Sequence, residues 1–264
     1  GVISGLAFDG KKVSFMSAGT EGNALVAVRD ASKNILWSWH IWVTDQPQEQ
    51  VYVNDKGTFT MLDRNLGATH NASDDWENSR GLLYQWGRKD PFAMQQDPRG
   101  TAYYQQLFTF SSTQASLSEA IANPTVFEGS GYRGWVTPDN TLMWHPSKKT
   151  IYDPCPVGYQ VPRKAMWVSL VSTNSVHTEY KGFVNTTDGG QSVWYPSAGY
   201  RSAHPSDAGA LMSVQNDTGF VKLWSSELEV AELSYCFTFN YPHYYASNSA
   251  SWGNGYNVRC VKAY

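Results

Sequence analysis

Two cysteines constrain the fold of this chain more than any other feature. Cys155 lies in the turn-rich run Tyr152-Asp153-Pro154-Cys155-Pro156-Val157-Gly158-Tyr159-Gln160-Val161-Pro162, and Cys260 in Gly255-Tyr256-Asn257-Val258-Arg259-Cys260-Val261, which reads as the last strand. A bond between them would close a loop of about a hundred residues, a stabilisation of ~4–5 kcal/mol by chain-entropy arithmetic. Three cysteines allow one bridge and one leftover thiol. Cys236, in the strand-like run Leu233-Ser234-Tyr235-Cys236-Phe237-Thr238-Phe239, reads as a small buried hydrophobe. A pairing through Cys236, or three reduced thiols, are the other readings of the same residues. With a Cys155–Cys260 bridge the chain reads as an exported, loop-rich α+β module, built to bind more than to catalyse.

Composition supports such a module. Aromatics make up 14% of the 264 residues, with 11 Trp and 16 Tyr, while charged residues reach only 16% and Gly numbers 22. That balance predicts short strands and ordered loops in place of long helices. The formal net charge is −3 with no Lys/Arg cluster, which argues against nucleic-acid partners and against a polybasic membrane patch. No apolar run approaches the ~20 residues of a membrane span, so direct membrane insertion is not expected. Gly1 is not an initiating residue, and a processed chain is the expectation.

Residues 1–45 read as β-structure. Val13–Met16, Ala24–Val28 and Ile35–Val43 are expected strands, the last two joined by the polar turn Arg29-Asp30-Ala31-Ser32-Lys33-Asn34 in a hairpin. In the third strand Trp37, Trp39, Ile41 and Val43 fall on one face and Leu36, Ser38, His40 and Trp42 on the other, so both faces are expected to be covered, with His40 a packing residue. After the polar break Gln46–Gln50, residues 46–264 read as a second unit. About residues 93–143 are expected to form an irregular excursion on the core, with one short helix, Ser116–Ala122. Arg163–Ser172, entered from Pro162, reads as the main helix, with Ala165, Met166, Ser169 and Leu170 along one stripe. Short strands follow near Val193–Tyr200, Leu223–Ser226, Leu233–Asn240 and Asn257–Val261.

Five segments in order carry a resemblance: Met61-Leu62-Asp63-Arg64-Asn65-Leu66-Gly67-Ala68, Tyr84-Gln85-Trp86-Gly87-Arg88-Lys89-Asp90-Pro91-Phe92, Lys149-Thr150-Ile151-Tyr152-Asp153-Pro154-Cys155-Pro156, Leu223-Trp224-Ser225-Ser226 and Val258-Arg259-Cys260-Val261. Together they resemble the Fibrobacter succinogenes major paralogous domain, in the version found in Bacteroidales fimbrial tip proteins and surface lipoproteins. The resemblance implies a C-type-lectin-like fold, a twisted antiparallel sheet with a packed helix and long loops, here preceded by an N-terminal β-hairpin. It implies a disulfide at the Cys155 and Cys260 positions, and a buried scaffold role for Asp63, Arg64, Trp86, Arg88 and Asp90. The hairpin of residues 1–45 resembles the segment that joins a preceding pilin-like domain to the lectin-like module. Glycan or host surface protein, and neighbouring pilin subunits, are then the implied partners, and the bacterial surface the implied location.

The fold's relatives include formylglycine-generating enzymes, so catalytic residues must be looked for. Cys236 and Cys260 are too far apart for a paired-cysteine copper site, and His40, His70, His145, His177, His204 and His243 show no His-x-x-x-His or Glu-x-x-His spacing. No nucleophile elbow, P-loop or dinucleotide fingerprint is present. No enzyme activity and no cofactor are expected. A calcium-mediated sugar site needs an acid-Pro-amide loop that Gln46-Pro47-Gln48 does not supply, although Asp207, Asn216 and Asp217 leave a structural calcium open. What remains is recognition by aromatic loops. The run from Tyr241 to Gly255 offers Tyr241, His243, Tyr244, Tyr245, Asn248, Trp252 and Asn254, and a second loop offers Arg201, His204 and Asp207. Rigid rings give contact area at low entropy cost and amides give hydrogen bonds, which suits binding. The plainer alternative is that Tyr244, Tyr245 and Trp252 only pack their loop onto the sheet. A pilus tip or assembly subunit without a soluble ligand is the alternative function.

Overall fold

Alternating side chains along two long central strands feed the two larger of three buried apolar clusters. The computed structural model describes residues 1–94, 108–129, 131, 134–171, 176–178, 182–186, 192–206, 209–212, 220–240 and 243–263, with backbone only at 176–178 and 186. The central sheet has seven strands. Six follow the order Leu211–Met212, Tyr200–Arg201, Gly255–Asn257, Val221–Val230, Leu233–Asn240 and His243–Ser251, and Leu83–Gln85 pairs with Gly255–Asn257 off that path. Gly255–Asn257 runs parallel to Val221–Val230; the other pairings are antiparallel. Because successive residues of a strand face opposite ways, Leu223, Phe237 and Phe239 enter one core with Met166, Trp167, Leu170, Phe183 and Tyr195. Trp224 and Cys236 enter the other, with Trp86, Trp135, Trp144, Trp252 and Tyr256.

Cys155 and Cys260 are bonded, their Cα atoms 5.7 Å apart, and Cys236 is free and buried. The bridge lies in the tryptophan-rich core. It fastens the turn before Tyr159–Gln160 to the terminal strand Val261–Lys262, and those two strands pair in a second sheet with Gly57–Leu62 and Glu49–Asn54. Gly182–Thr186 joins Val176–Thr178 and Ser192–Pro196 in a three-stranded sheet. The architecture is therefore α+β and strongly weighted to strands, with only short helical turns among the described residues.

Several expectations need correction. The main helix is absent: Lys164–Trp167 forms one 3-10 turn, Val168 is extended, and Ser169 has φ +58°. Side chains of a neighbouring strand take carbonyls that a helix would use. Asn54 Nδ2 donates to the Ala165 and Val168 carbonyls at 3.0 Å each and the Tyr52 hydroxyl to the Val168 carbonyl at 2.6 Å, while the Trp167 indole donates to Ser225 Oγ at 3.0 Å. The run Tyr241–Gly255 is not a loop, since His243–Ser251 is the outermost strand of the central sheet. Its Ala, Ser and Asn residues are weak strand formers, and the ladder with Leu233–Asn240 overrides them. Val13–Ser17 is a strand as expected, but its partner Ile3–Phe8 went unread because Gly5 and a bulge between Ser4 and Ala7 break the alternation. Of residues 93–143, positions 95–107, 130, 132 and 133 lie outside the described residues, and within the rest Phe127, Trp135, Val136 and Met143 are fully buried. The helix Leu117–Ala122 forms as expected behind a Ser116–Glu119 capping box.

The hairpin Gly22–Arg29/Ile35–Val43 also forms as expected. His40 is a packing residue, its Nε2 2.8 Å from Asn23 Oδ1 and its Nδ1 3.0 Å from the Tyr84 hydroxyl. Asp63, Arg64, Trp86, Arg88 and Asp90 are buried scaffold. Arg64 Nε donates to Asp63 Oδ1 at 2.9 Å, Arg88 Nη1 to Gln85 Oε1 at 2.7 Å, and the Trp86 indole to the Ser225 carbonyl at 2.9 Å.

Candidate functional site

The outer strand His243–Ser251 presents a run of exposed ring side chains. His243, Tyr244 and Tyr245 are exposed in succession, with Tyr244 47% and Tyr245 55% accessible. The strand contains no Lys, Arg, Asp, Glu or Pro, the residues that usually blunt a sheet edge. A bulge opposite Cys236–Thr238 breaks its regular pairing with Leu233–Asn240. Further along, Ala250, Ser251 and Trp252 sink into the core.

The other expected site residues divide sharply. Trp252 is fully buried and stacks on Trp86 with ring centroids 4.6 Å apart, so it packs the core and cannot meet a ligand on this surface. Arg201 is also buried. Its Nε and Nη2 donate to the Ala93 carbonyl at 2.9 and 2.6 Å and its Nη1 to the Gly209 carbonyl. Burial lowers its pKa to about 10. Both are corrections, with one cause: the large side chains of these segments satisfy the interior first. His204 is exposed, its Nδ1 2.8 Å from Ser206 Oγ. Tyr241 and Asp207 lie outside the described residues.

Half-buried Asn248 and Asn254 sit at two ends of a polar line across one face of the central sheet. Asn254 Oδ1 accepts the Ala203 amide at 3.1 Å, next to His204, and its Nδ2 donates to the Tyr256 hydroxyl at 3.4 Å. Lys222 Nζ donates to the same hydroxyl at 3.3 Å. Lys222 pairs in register with Thr238, and Thr238 with Tyr245. Asn248 Nδ2 donates to Thr238 Oγ1 at 3.3 Å, and Cys236 Sγ lies 3.7 Å from that oxygen. The line thus runs from the His204 loop to Tyr245 through Lys222.

Lys222 is the group that sequence reading missed. Its ammonium lies 4.4 Å from the Tyr200 ring centre, 4.8 Å from Tyr256 and 5.2 Å from Phe220. Burial lowers its pKa, and burial raises the Cys236 thiol to about 11. A lysine between Val221 and Leu223, in a strand otherwise apolar at that end, was the available signal. Among the described residues no three His, Cys, Asp or Glu side chains gather in a metal-binding cluster, and no helix is long and apolar enough to cross a membrane.

The chain matches no protein-family model, no curated protein and no solved structure.

Proposed function

We propose that this chain is a non-catalytic binding module with a C-type-lectin-like fold, the lectin-like unit of a fimbrial tip adhesin displayed on a bacterial surface. Residues 1–45 would link it to a pilin-like domain and residues 46–264 would form the recognition unit. Its ligand would be a glycan or a host surface protein. The observation that carries this reading is the exposed His243-Tyr244-Tyr245 run on an uncharged edge strand, fixed to a rigid sheet. Aromatic rings held by regular structure bind with little ordering cost. The Cys155–Cys260 bond supports an oxidising, extracellular setting. Asp63, Arg64, Trp86, Arg88, Asp90, Trp224 and Arg259, from four of the five segments, are buried, which supports a scaffold role for them.

A second reading, a structural pilus subunit without a soluble ligand, draws on the apolar N-terminal ribbon, where Leu6, Phe8, Phe15 and Met16 are exposed. A glycan and matrix-protein array, run with calcium and with chelator, separates the two. The adhesin reading expects hits that a Tyr244→Ala/Tyr245→Ala variant loses while its thermal melt stays unchanged. A blank array from folded protein, with tight binding to a pilin, would give the second reading the field.

A further inference from the structure

Among the described residues most interior cations meet a carboxylate, amide or backbone carbonyl oxygen. Arg64 pairs with Asp63 and Asp45, Lys89 with Asp90 and Arg80 with Glu77. Arg88 donates to the Gln85 side-chain oxygen, Arg201 to carbonyls, and Arg259 to Asn65 Oδ1 and the Trp194 carbonyl. Lys222 differs: among the described residues its ammonium is accepted only by the Tyr256 hydroxyl, and no carboxylate pairs with it. An ammonium carries three donors, so two are left without a described acceptor. Three aromatic rings hold the cation in place, at the distances given above, through their electron-rich faces.

We propose that Lys222 receives the carboxylate of an acidic sugar, with Asn248, Asn254 and Tyr245 contacting the rest of the ring. The proposal rests on the binding-module reading and names its ligand class. A half-buried cation with spare donors forms a charge-assisted pair with an arriving anion far more strongly than an exposed one, because little water screens the pair. Flanking the ammonium on the same face are two amides and an exposed phenol ring, groups that suit hydroxyl-rich rings. Among the described residues Lys222 is the one cation over the Tyr200, Tyr256 and Phe220 rings. That suits a ligand with a single carboxylate; an acidic peptide, carrying several, would call for a cluster of Lys and Arg.

The test uses the whole chain and a set of uronate- and sialate-terminated oligosaccharides, each beside its carboxyl methyl ester, titrated by calorimetry and by amide chemical-shift mapping. At least one acid form is expected to bind about tenfold or more tighter than its ester, with shifts at Lys222, Thr238 and Tyr245. Lys222→Met is expected to erase that ratio and Lys222→Arg to keep part of it. Equal binding of acid and ester in the unmutated chain overturns the proposal without any variant. If neutral glycans bind and Tyr245→Ala removes them while Lys222→Met does not, the binding module stands and the acidic-sugar assignment falls. If folded protein binds none of the sugars, the acidic-sugar assignment falls, and the binding-module reading is decided by the matrix proteins of the array.

Discussion

The two N-terminal ribbons are alike in pairing and unlike in fate. Ile3–Phe8/Val13–Ser17 and Gly22–Arg29/Ile35–Val43 are both antiparallel hairpins, and an isolated hairpin has little stability in water. The second is fixed to the body by polar contacts from one face. Ser38 donates to Asp90 Oδ1 at 2.6 Å, Trp42 Nε1 to the Ala68 carbonyl at 2.9 Å, and Asn23 Nδ2 to the Gly67 carbonyl at 2.8 Å. Lys89 Nζ reaches the Ser38 carbonyl at 3.0 Å, and the helix Leu117–Ala122 packs against Ile35–Val43. The first ribbon has no comparable described anchor, and leaves Leu6 54% and Met16 63% exposed. Apolar pattern alone makes a ribbon; buried hydrogen bonds to a partner decide where it docks.

The comparison breaks most visibly at Asp90. Asp90→Ala strands the buried Lys89 ammonium, which now donates to both Asp90 oxygens at 2.7 and 2.8 Å. Removing one member of a buried ion pair costs about 3–5 kcal/mol, to be read from urea unfolding. A loss under about 1 kcal/mol would mean that the second ribbon is held by packing and not by these polar anchors.

A smaller effect comes from pH. Burial lowers His40 from 6.5 to about 4. Below pH 6.5 the unfolded chain therefore takes up a proton that the folded chain refuses, and stability falls as pH drops from 6.5 toward 4. The expected share of His40 is about 1–3 kcal/mol across that window. His40→Gln should flatten this part of the curve of unfolding free energy against pH, and an unchanged slope would remove His40 from the anchor. The smallest effect belongs to the first ribbon, where Leu6→Ser and Phe15→Ser should each change stability by no more than about 0.5 kcal/mol in a thermal melt. A loss near 2 kcal/mol would show that this ribbon is packed after all.

How legible the molecule was in its sequence varied by element. The second hairpin was legible because its strands alternate cleanly around a polar turn, and Leu117–Ala122 because Ser116 and Glu119 sign its start. Lys164–Trp167 was misread because its apolar spacing also fits a helical stripe, and nothing local shows that Asn54 and Tyr52 will take the Ala165 and Val168 carbonyls. Which candidate site residues are exposed was legible only in part. Tyr244 and Tyr245 are open, but Trp252 and Arg201, from equally aromatic or polar runs, turned inward. Lys222 escaped because nothing in Val221-Lys222-Leu223 says which rings will surround it.

By itself the sequence determined the strand-rich α+β class, the placement of two cysteines where a bridge closes the fold, and the motif residues that fill the interior. Those follow from local pattern and chemistry, which the chain carries whatever its path. Only tertiary structure decided that Cys155 meets Cys260, that a supposed loop is an edge strand, and that Tyr200, Tyr256 and Asn254 converge on Lys222. The physical reason is that these outcomes depend on pairings between distant segments. Such pairings are selected by the joint burial of whole sheets, and no single stretch of residues encodes them.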